Sequence, residues 1–226
     1  MKLFLSSFDR QGMPPELRDF VGQNLTCAVV ANSNDAETPD VRAEVLGRTS
    51  AALQTAGFQT RELDLRQFQD DGDGIARALR GCGLVWAVGG NALVLRVAMR
   101  RSGFDAVIRS LLAEGDLTYG GSSAGALVAG ASLRGVELVD PLDDLGAAPP
   151  IWDGLALVDF TIVPHYRTTG PMGPGIEAWA AGLERGHIAH RTLRDGQSLE
   201  IHDSEVRLVD HAVEAELFSA SRPHSH

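Results

Sequence analysis

Cysteine is nearly absent from this 226-residue chain, which holds only Cys27 and Cys82, both inside apolar runs (LTCAVVAN and RGCGLVWAV). Two thiols in such settings are expected to be buried and reduced. No CxxC pair or Cys/His cluster suggests zinc, and no metal or organic cofactor is expected. Basic residues are outnumbered, 20 against 30 acidic ones, for a formal charge of −10. That balance argues against nucleic acid and anionic membranes as partners. An acidic small substrate would need a locally basic pocket. No apolar run approaches membrane-spanning length, and MKLFLSSF is too short and polar for a signal peptide core, so a cytoplasmic location is expected. There is no internal repeat and no linker of domain-boundary character. A single domain over residues 1–226 is expected, with the polar tail beyond residue 220, which carries His224 and His226, disordered.

The first half alternates short apolar runs with amphipathic stretches. Lys2–Ser7 reads as a strand, and Pro14–Gly22 as a short helix with its prolines at the start. Cys27–Ala31 and Leu84–Val88 are continuous apolar runs of the kind buried in parallel sheets. Asp40–Ala56 is helical and stopped by Gly57; Phe58–Leu65 reads as a strand and Gly74–Arg80 as a helix. This alternation predicts an α/β fold, a mostly parallel sheet with helices on both faces and ligands at the carboxyl ends of its strands. Short β runs at Gln197–His202, Glu205–Val209 and Val213–Phe218 predict a hairpin-rich end.

Two glycine turns sit at strand ends. DLTYGGSSAGALVAGAS places Gly121-Ser122-Ser123-Ala124-Gly125 between a strand ending at Tyr119 and a helix beginning near Ala124. A serine in so tight a strand-to-helix turn needs neighbours without large side chains, and the turn exposes its Oγ. Ser123 is therefore the candidate nucleophile. Val88-Gly89-Gly90-Asn91 follows the LVWAV strand and opens a second helix, ALVLRVAMRRSG. Acyl transfer needs two amide donors on the developing oxyanion, and the N–H groups of Gly90 and Ala124 form the natural pair.

A serine needs a base. His165 follows Pro164 at the end of the apolar run Leu155–Val163, level with the glycine turns. His187, His190, His202 and His211 have polar or hairpin surroundings and read as surface residues. An acid should fix the imidazole tautomer. Asp195, Glu137 and Asp140 are candidates that spacing alone does not separate.

Together, LVWAVGGN, YGGSSAGA, LVDP and DGLALVDFTIVPHY resemble the peptidase E family of serine peptidases, the aspartyl dipeptidases and their relatives, from residue 84 to 200. The resemblance implies a three-layer, class I glutamine amidotransferase-like (flavodoxin-like) sandwich with serine where amidotransferases have cysteine. It also implies a Ser-His-acid triad on Ser123, His165 and Asp195, the last standing where the dipeptidases have glutamate, with Glu137 as fallback. Asn91 and Arg167 are expected to touch the substrate. The dipeptidases carry an arginine after the histidine that receives an acidic side chain. Here Arg167 lies next to the histidine and Arg185 is distant, so neither matches that position. The expected substrate is a dipeptide or short peptide, with N-terminal aspartate preference open, and the expected assembly is a monomer or homodimer. An α/β-hydrolase esterase shares the serine turn, but the histidine here precedes the best acid and no HGGG loop occurs. A non-catalytic binding or regulatory relative is the alternative from another class.

Overall fold

The structure, a computed structural model, describes residues 1–7, 12–14 and 16–211. β1 (Lys2–Ser6) leads through α1 (Glu16–Val21) to β2 (Thr26–Val30), α2 (Pro39–Thr55), β3 (Gln59–Glu62), α3 (Gly72–Leu79) and β4 (Leu84–Ala87). α4 (Ala92–Ser102) and α5 (Phe104–Glu114) precede β5 (Thr118–Ser122), from which α6 (Ala124–Leu127) departs. The last third holds β6 (Thr161–Val163), α7 (Gly173–Arg185), β7 (His190–Thr192), β8 (Gln197–His202) and β9 (Glu205–Asp210).

Local chemistry fixes these limits. Thr38 caps α2 by accepting from the Val41 N–H, Pro39 occupies the first turn, and Gly57 turns the chain away at φ 96°. The seven-stranded sheet has the order β3-β2-β4-β5-β1-β8-β9, parallel from β3 to β1 and antiparallel across β8 and β9. β6 and β7 pair separately, in parallel.

Side-chain alternation along the strands builds a core on each face. Leu3, Leu5, Val30, Val85 and Tyr119 pack with residues of α3 to α7. Phe4, Cys27, Val29 and Trp86 pack with Leu17 of α1 and Leu53 of α2. The result is a helix–sheet–helix sandwich.

Some sequence expectations need correction. β5 runs on to Ser122, because Gly120 and Gly121 keep the pairing with β1 and β4. Only Thr161–Val163 of the run Leu155–Val163 is strand; the N–H groups of Leu155, Ala156 and Leu157 bond instead to the carbonyls of residues 128–130 beyond α6. α7 lies in a stretch the pattern left unassigned. His211 is buried, with Nδ1 2.9 Å from Glu16 and Nε2 2.8 Å from Ser198 Oγ. The run Val213–Phe218 and the tail lie outside the described residues. No helix among the described residues is long and apolar enough to cross a membrane.

Arg96 of α4, only 2% exposed, ties the large core face together. Its guanidinium donates in bidentate fashion to Asp105 (2.9 and 2.7 Å) and its Nε donates to the Asp153 carbonyl (2.7 Å). Arg100 also pairs with Asp105, so the carboxylate would retain one cation if Arg96 were lost. Arg96→Leu is expected to cost about 3 kcal/mol in urea unfolding, and a loss below about 1 kcal/mol would show that the pair is dispensable.

Candidate active site

Strand register brings the site together. Ser6 of β1 pairs with Ser122 of β5, and Gly121 of β5 pairs with Ala87 of β4. The next residues of each strand, Ser7, Ser123 and Val88–Gly90, therefore emerge side by side at the carboxyl edge of the sheet.

The glycines of the serine turn are steric necessities. A Cβ on Gly125 would lie 2.0 Å from the Ala87 carbonyl oxygen, and one on Gly121 would lie 2.5 Å from the Gly125 backbone. α6 can thus start directly against β4. The fully buried Tyr119 holds it there, its hydroxyl donating to the Gly125 carbonyl at 2.7 Å. Ser123 has φ 52° and ψ −114°, outside the regions an L-residue prefers, at a cost on the order of 1 kcal/mol or more. Its N–H bonds to the carbonyls of Ser7 (2.8 Å) and Ser6 (3.0 Å).

His165 follows β6 and Pro164 and also has a left-handed backbone, φ 59°. Its Nε2 lies 2.8 Å from Ser123 Oγ and its Nδ1 lies 2.7 Å from Asp195 Oδ1. The side chains of His165 and Asp195 are 15% and 28% exposed. An ionised carboxylate only accepts hydrogen bonds, so Nδ1 carries the proton and Nε2 presents its lone pair to the Ser123 hydroxyl. Asp195 sits in the turn between β7 and β8.

Gly90 has φ 146°, and a Cβ there would strike the Ser33 carbonyl at 2.7 Å. Neither its N–H nor that of Ala124 donates to another described residue. Both glycine and alanine border a narrow pocket of about 20 Å³ beside Ser123, walled by Leu127, Val139, Ile176 and Trp179. A wider cleft of about 460 Å³ opens on the other side, bordered by Met13, Asn34, Arg48 and Trp86, and both spaces reach Ser123, Gly90 and His165. A separate depression of about 330 Å³ near Arg66, Phe68 and Arg101 reaches none of the predicted site residues.

The remaining candidates make other bonds. Asn91 is consumed by structure: its Oδ1 accepts from the Leu93 and Val94 N–H groups, and its Nδ2 donates to the Pro141 carbonyl and Asp144. All four of its side-chain bonding positions are filled within the protein, so a contact between this side chain and substrate would require one of these bonds to be exchanged. Arg167 is exposed, stacks 5.4 Å over Tyr166 and borders neither space beside Ser123. The Glu137 carboxylate is exposed and bonds to the Gly135 N–H. Asp140 caps α4 through the Ala92 N–H at 2.7 Å and borders the narrow pocket.

Two residues here escaped the sequence reading. Arg48 lies on the exposed side of α2, where nothing in the pattern separates it from a solvated charge. Ser7 had a legible signal: a polar residue closing an apolar strand that ends level with both glycine turns.

The fold is the α/β sandwich of the class I glutamine amidotransferase-like proteins. The model of Peptidase family S51 matches residues 11–209, and the chain belongs to that family. It is 32% identical over 118 residues to an uncharacterized peptidase of Listeria monocytogenes, covering 52% of this chain and 56% of that one. It is 34% identical over 125 residues to peptidase E of Streptomyces coelicolor, covering 55% and 46%. The chain thus spans about half the length of these curated relatives. Among solved structures, a Listeria monocytogenes protein described as a candidate peptidase E superposes with TM-score 0.77 at 23% identity, covering 92% of this chain and 98% of that one. A peptidase from an acI-B1 Actinobacterium gives 0.66 at 12%, covering 92% and 87%.

Burial pushes the Asp140 carboxyl up to about 6, with the Asp144 carboxylate adding to the rise and the Ala92 N–H opposing it. A raised carboxyl stabilises the fold while protonated, and that contribution is lost as pH climbs from about 4 through about 6. Asp140→Asn keeps an acceptor for the Ala92 N–H and does not ionise. Its melting temperature is expected to match wild type near pH 4 and to exceed it by a few degrees above pH 6. A gap that does not change with pH would show that Asp140 titrates as an ordinary carboxylate.

Proposed function

We propose that this protein is a serine exopeptidase that hydrolyses dipeptides or short peptides through Ser123, His165 and Asp195. The reading is carried by the continuous hydrogen-bond chain from Asp195 to His165 to Ser123, at 2.7 and 2.8 Å. Ser123 Oγ attacks the scissile carbonyl while His165 Nε2 takes its proton. Asp195 stabilises the imidazolium that forms. The Gly90 and Ala124 amides receive the oxyanion, and their lack of other described partners supports that role. The imidazolium then protonates the leaving amine, and a water activated by His165 releases the acyl group. The narrow pocket closed by Trp179 and Ile176 leaves little room for chain on that side of Ser123, which favours short substrates.

A dipeptide panel assayed with wild type and Ser123→Ala tests the chemistry. Wild type should cleave a subset, and Ser123→Ala should lose at least about 10³-fold in kcat. Equal turnover by the two proteins would remove Ser123 from the reaction.

Arg48 supports a narrower substrate class. Among the described residues it is the one guanidinium or ammonium bordering the cleft, and none of them places a carboxylate there. Its ion pair with Glu44 is loose (3.6 Å) and exposed, so the guanidinium can turn to a substrate carboxylate at little cost. That carboxylate is either the acidic side chain of an N-terminal aspartate, as in the alpha-aspartyl dipeptidase name carried by a Drosophila melanogaster relative, or the peptide's own C-terminus. Arg48→Gln is expected to raise KM about tenfold for substrates bearing the carboxylate that Arg48 reads. Comparing Asp-X with Ala-X, and each with its C-terminal amide, identifies which one. An equal effect on all four would detach Arg48 from recognition.

A further inference from the structure

We infer that Ser7 is a positioning residue that holds the nucleophile, the base and the acid in one arrangement. The inference rests on the serine peptidase reading of Ser123, His165 and Asp195. Ser7 follows β1, is fully buried, and touches all three. Its carbonyl accepts from the Ser123 N–H at 2.8 Å. Its hydroxyl oxygen accepts from the His165 N–H at 2.8 Å and lies 3.1 Å from Asp195 Oδ1. Its own N–H donates to the Gln197 carbonyl at 2.9 Å, which fixes Ser7 against β8.

The direction of the hydroxyl proton follows from these contacts. A backbone N–H only donates, so the Ser7 oxygen faces His165 with a lone pair. Its single proton is left for Asp195. Asp195 Oδ1 therefore receives two donors, the Ser7 hydroxyl and His165 Nδ1, which set the orientation of the carboxylate from two sides. The backbone contacts matter for a different reason. Ser123 and His165 both hold left-handed φ angles, and surrounding structure must enforce such conformations. In each case the residue's own N–H is tied to Ser7. One buried side chain and its carbonyl thus clamp both strained residues and aim the acid, without contacting the reacting atoms.

Ser7→Ala separates the hydroxyl from the carbonyl. The Ser123 N–H keeps its acceptor, while the His165 N–H loses its partner and Asp195 loses a donor. A carboxylate with fewer donors holds a neighbouring imidazolium more strongly. The acid limb of the kcat/KM profile is therefore expected to move to higher pH by a few tenths of a unit. Among the described residues, the other titratable groups bordering the two spaces, Asp140 in the narrow pocket and Arg48 in the cleft, make no hydrogen bond to Ser7. Arg194, next to Asp195 in sequence, is 3.5 Å from Asp210.

The test uses the full chain. Active sites are first counted with a fluorophosphonate probe, so that misfolded protein does not enter kcat. Ser7→Ala is expected to lose on the order of 10- to 100-fold in kcat per titrated site with KM little changed, and to show the displaced limb. Ser7→Thr, which keeps the hydroxyl, is expected to restore the wild-type limb. A Ser7→Ala enzyme with wild-type kcat and limb, or a Ser7→Thr enzyme displaced as far as the alanine, overturns the role of Ser7. Wild type that neither reacts with the probe nor cleaves any peptide in the panel overturns the peptidase reading itself, a separate outcome.

Discussion

The site depends on how closely α6 can start against the sheet. The helix has almost no room: a Cβ at Gly125 would overlap the Ala87 carbonyl of β4, and one at Gly121 would overlap Gly125. Because both positions lack side chains, the chain reverses within one residue of the strand, and that residue is Ser123. The sharp reversal places its backbone at φ 52° and aims its side chain out of the sheet edge. It also leaves the Ala124 N–H, at the first position of α6, without a described partner. The Ser123 backbone and the Ala124 N–H, which serve as nucleophile and oxyanion donor on the proposed reading, are set by the same steric condition.

The second requirement is that parts distant in the chain arrive at that edge. His165 comes from the small β6–β7 sheet and not from the seven-stranded one. The segment before β6 anchors it, since Leu155 to Leu157 bond to carbonyls just beyond α6. The short sheet is therefore referenced to the same helix that carries Ser123. Asp195 enters from the turn into β8, which pairs with β1 on the side opposite β5. Strand β1 is the common neighbour of the elements bearing the serine and the acid, and Ser7 at its end is the residue through which their backbones and side chains meet.

Much of this was legible in the sequence where the constraint is local. The glycine turns announce themselves because close backbone approach excludes every other residue, and the apolar strands read correctly because parallel strands are buried on both faces. Apolar composition is a poor guide at Leu155–Val163: residues 155–160 run as irregular chain in which only Leu155 and Leu157 are buried. α7 was hidden by Gly173, Pro174 and Gly175, which look like a loop although proline at a helix start is a favourable signal. His211 looked exposed because its partners Glu16 and Ser198 are remote in sequence. The same distance concealed Ser7, whose contacts with His165 and Asp195 span 158 and 188 positions. Asn91 is ambiguous for the opposite reason: its position after two glycines suits a helix cap as well as a ligand contact, and its side chain caps α4.

Charge separates what the site can do from what it can select. A chain of net charge −10 repels acidic peptides at long range, but that field is screened within about 8 Å at physiological ionic strength. A dipeptide carries both an ammonium and a carboxylate, so its encounter with the protein is governed little by net charge. Selection falls to short-range groups around Ser123, and the two spaces there differ in kind. The wider cleft presents a guanidinium that can reorient, while the narrow pocket presents apolar walls and a carboxyl whose burial resists ionisation. On the proposed reading, a substrate carboxylate is better accommodated by the first, because a second negative group beside Asp140 would add to the cost that already raises that carboxyl. On the peptidase reading proposed above, the acidic moiety of a peptide would be directed to the Arg48 side, giving it one polarity across Ser123.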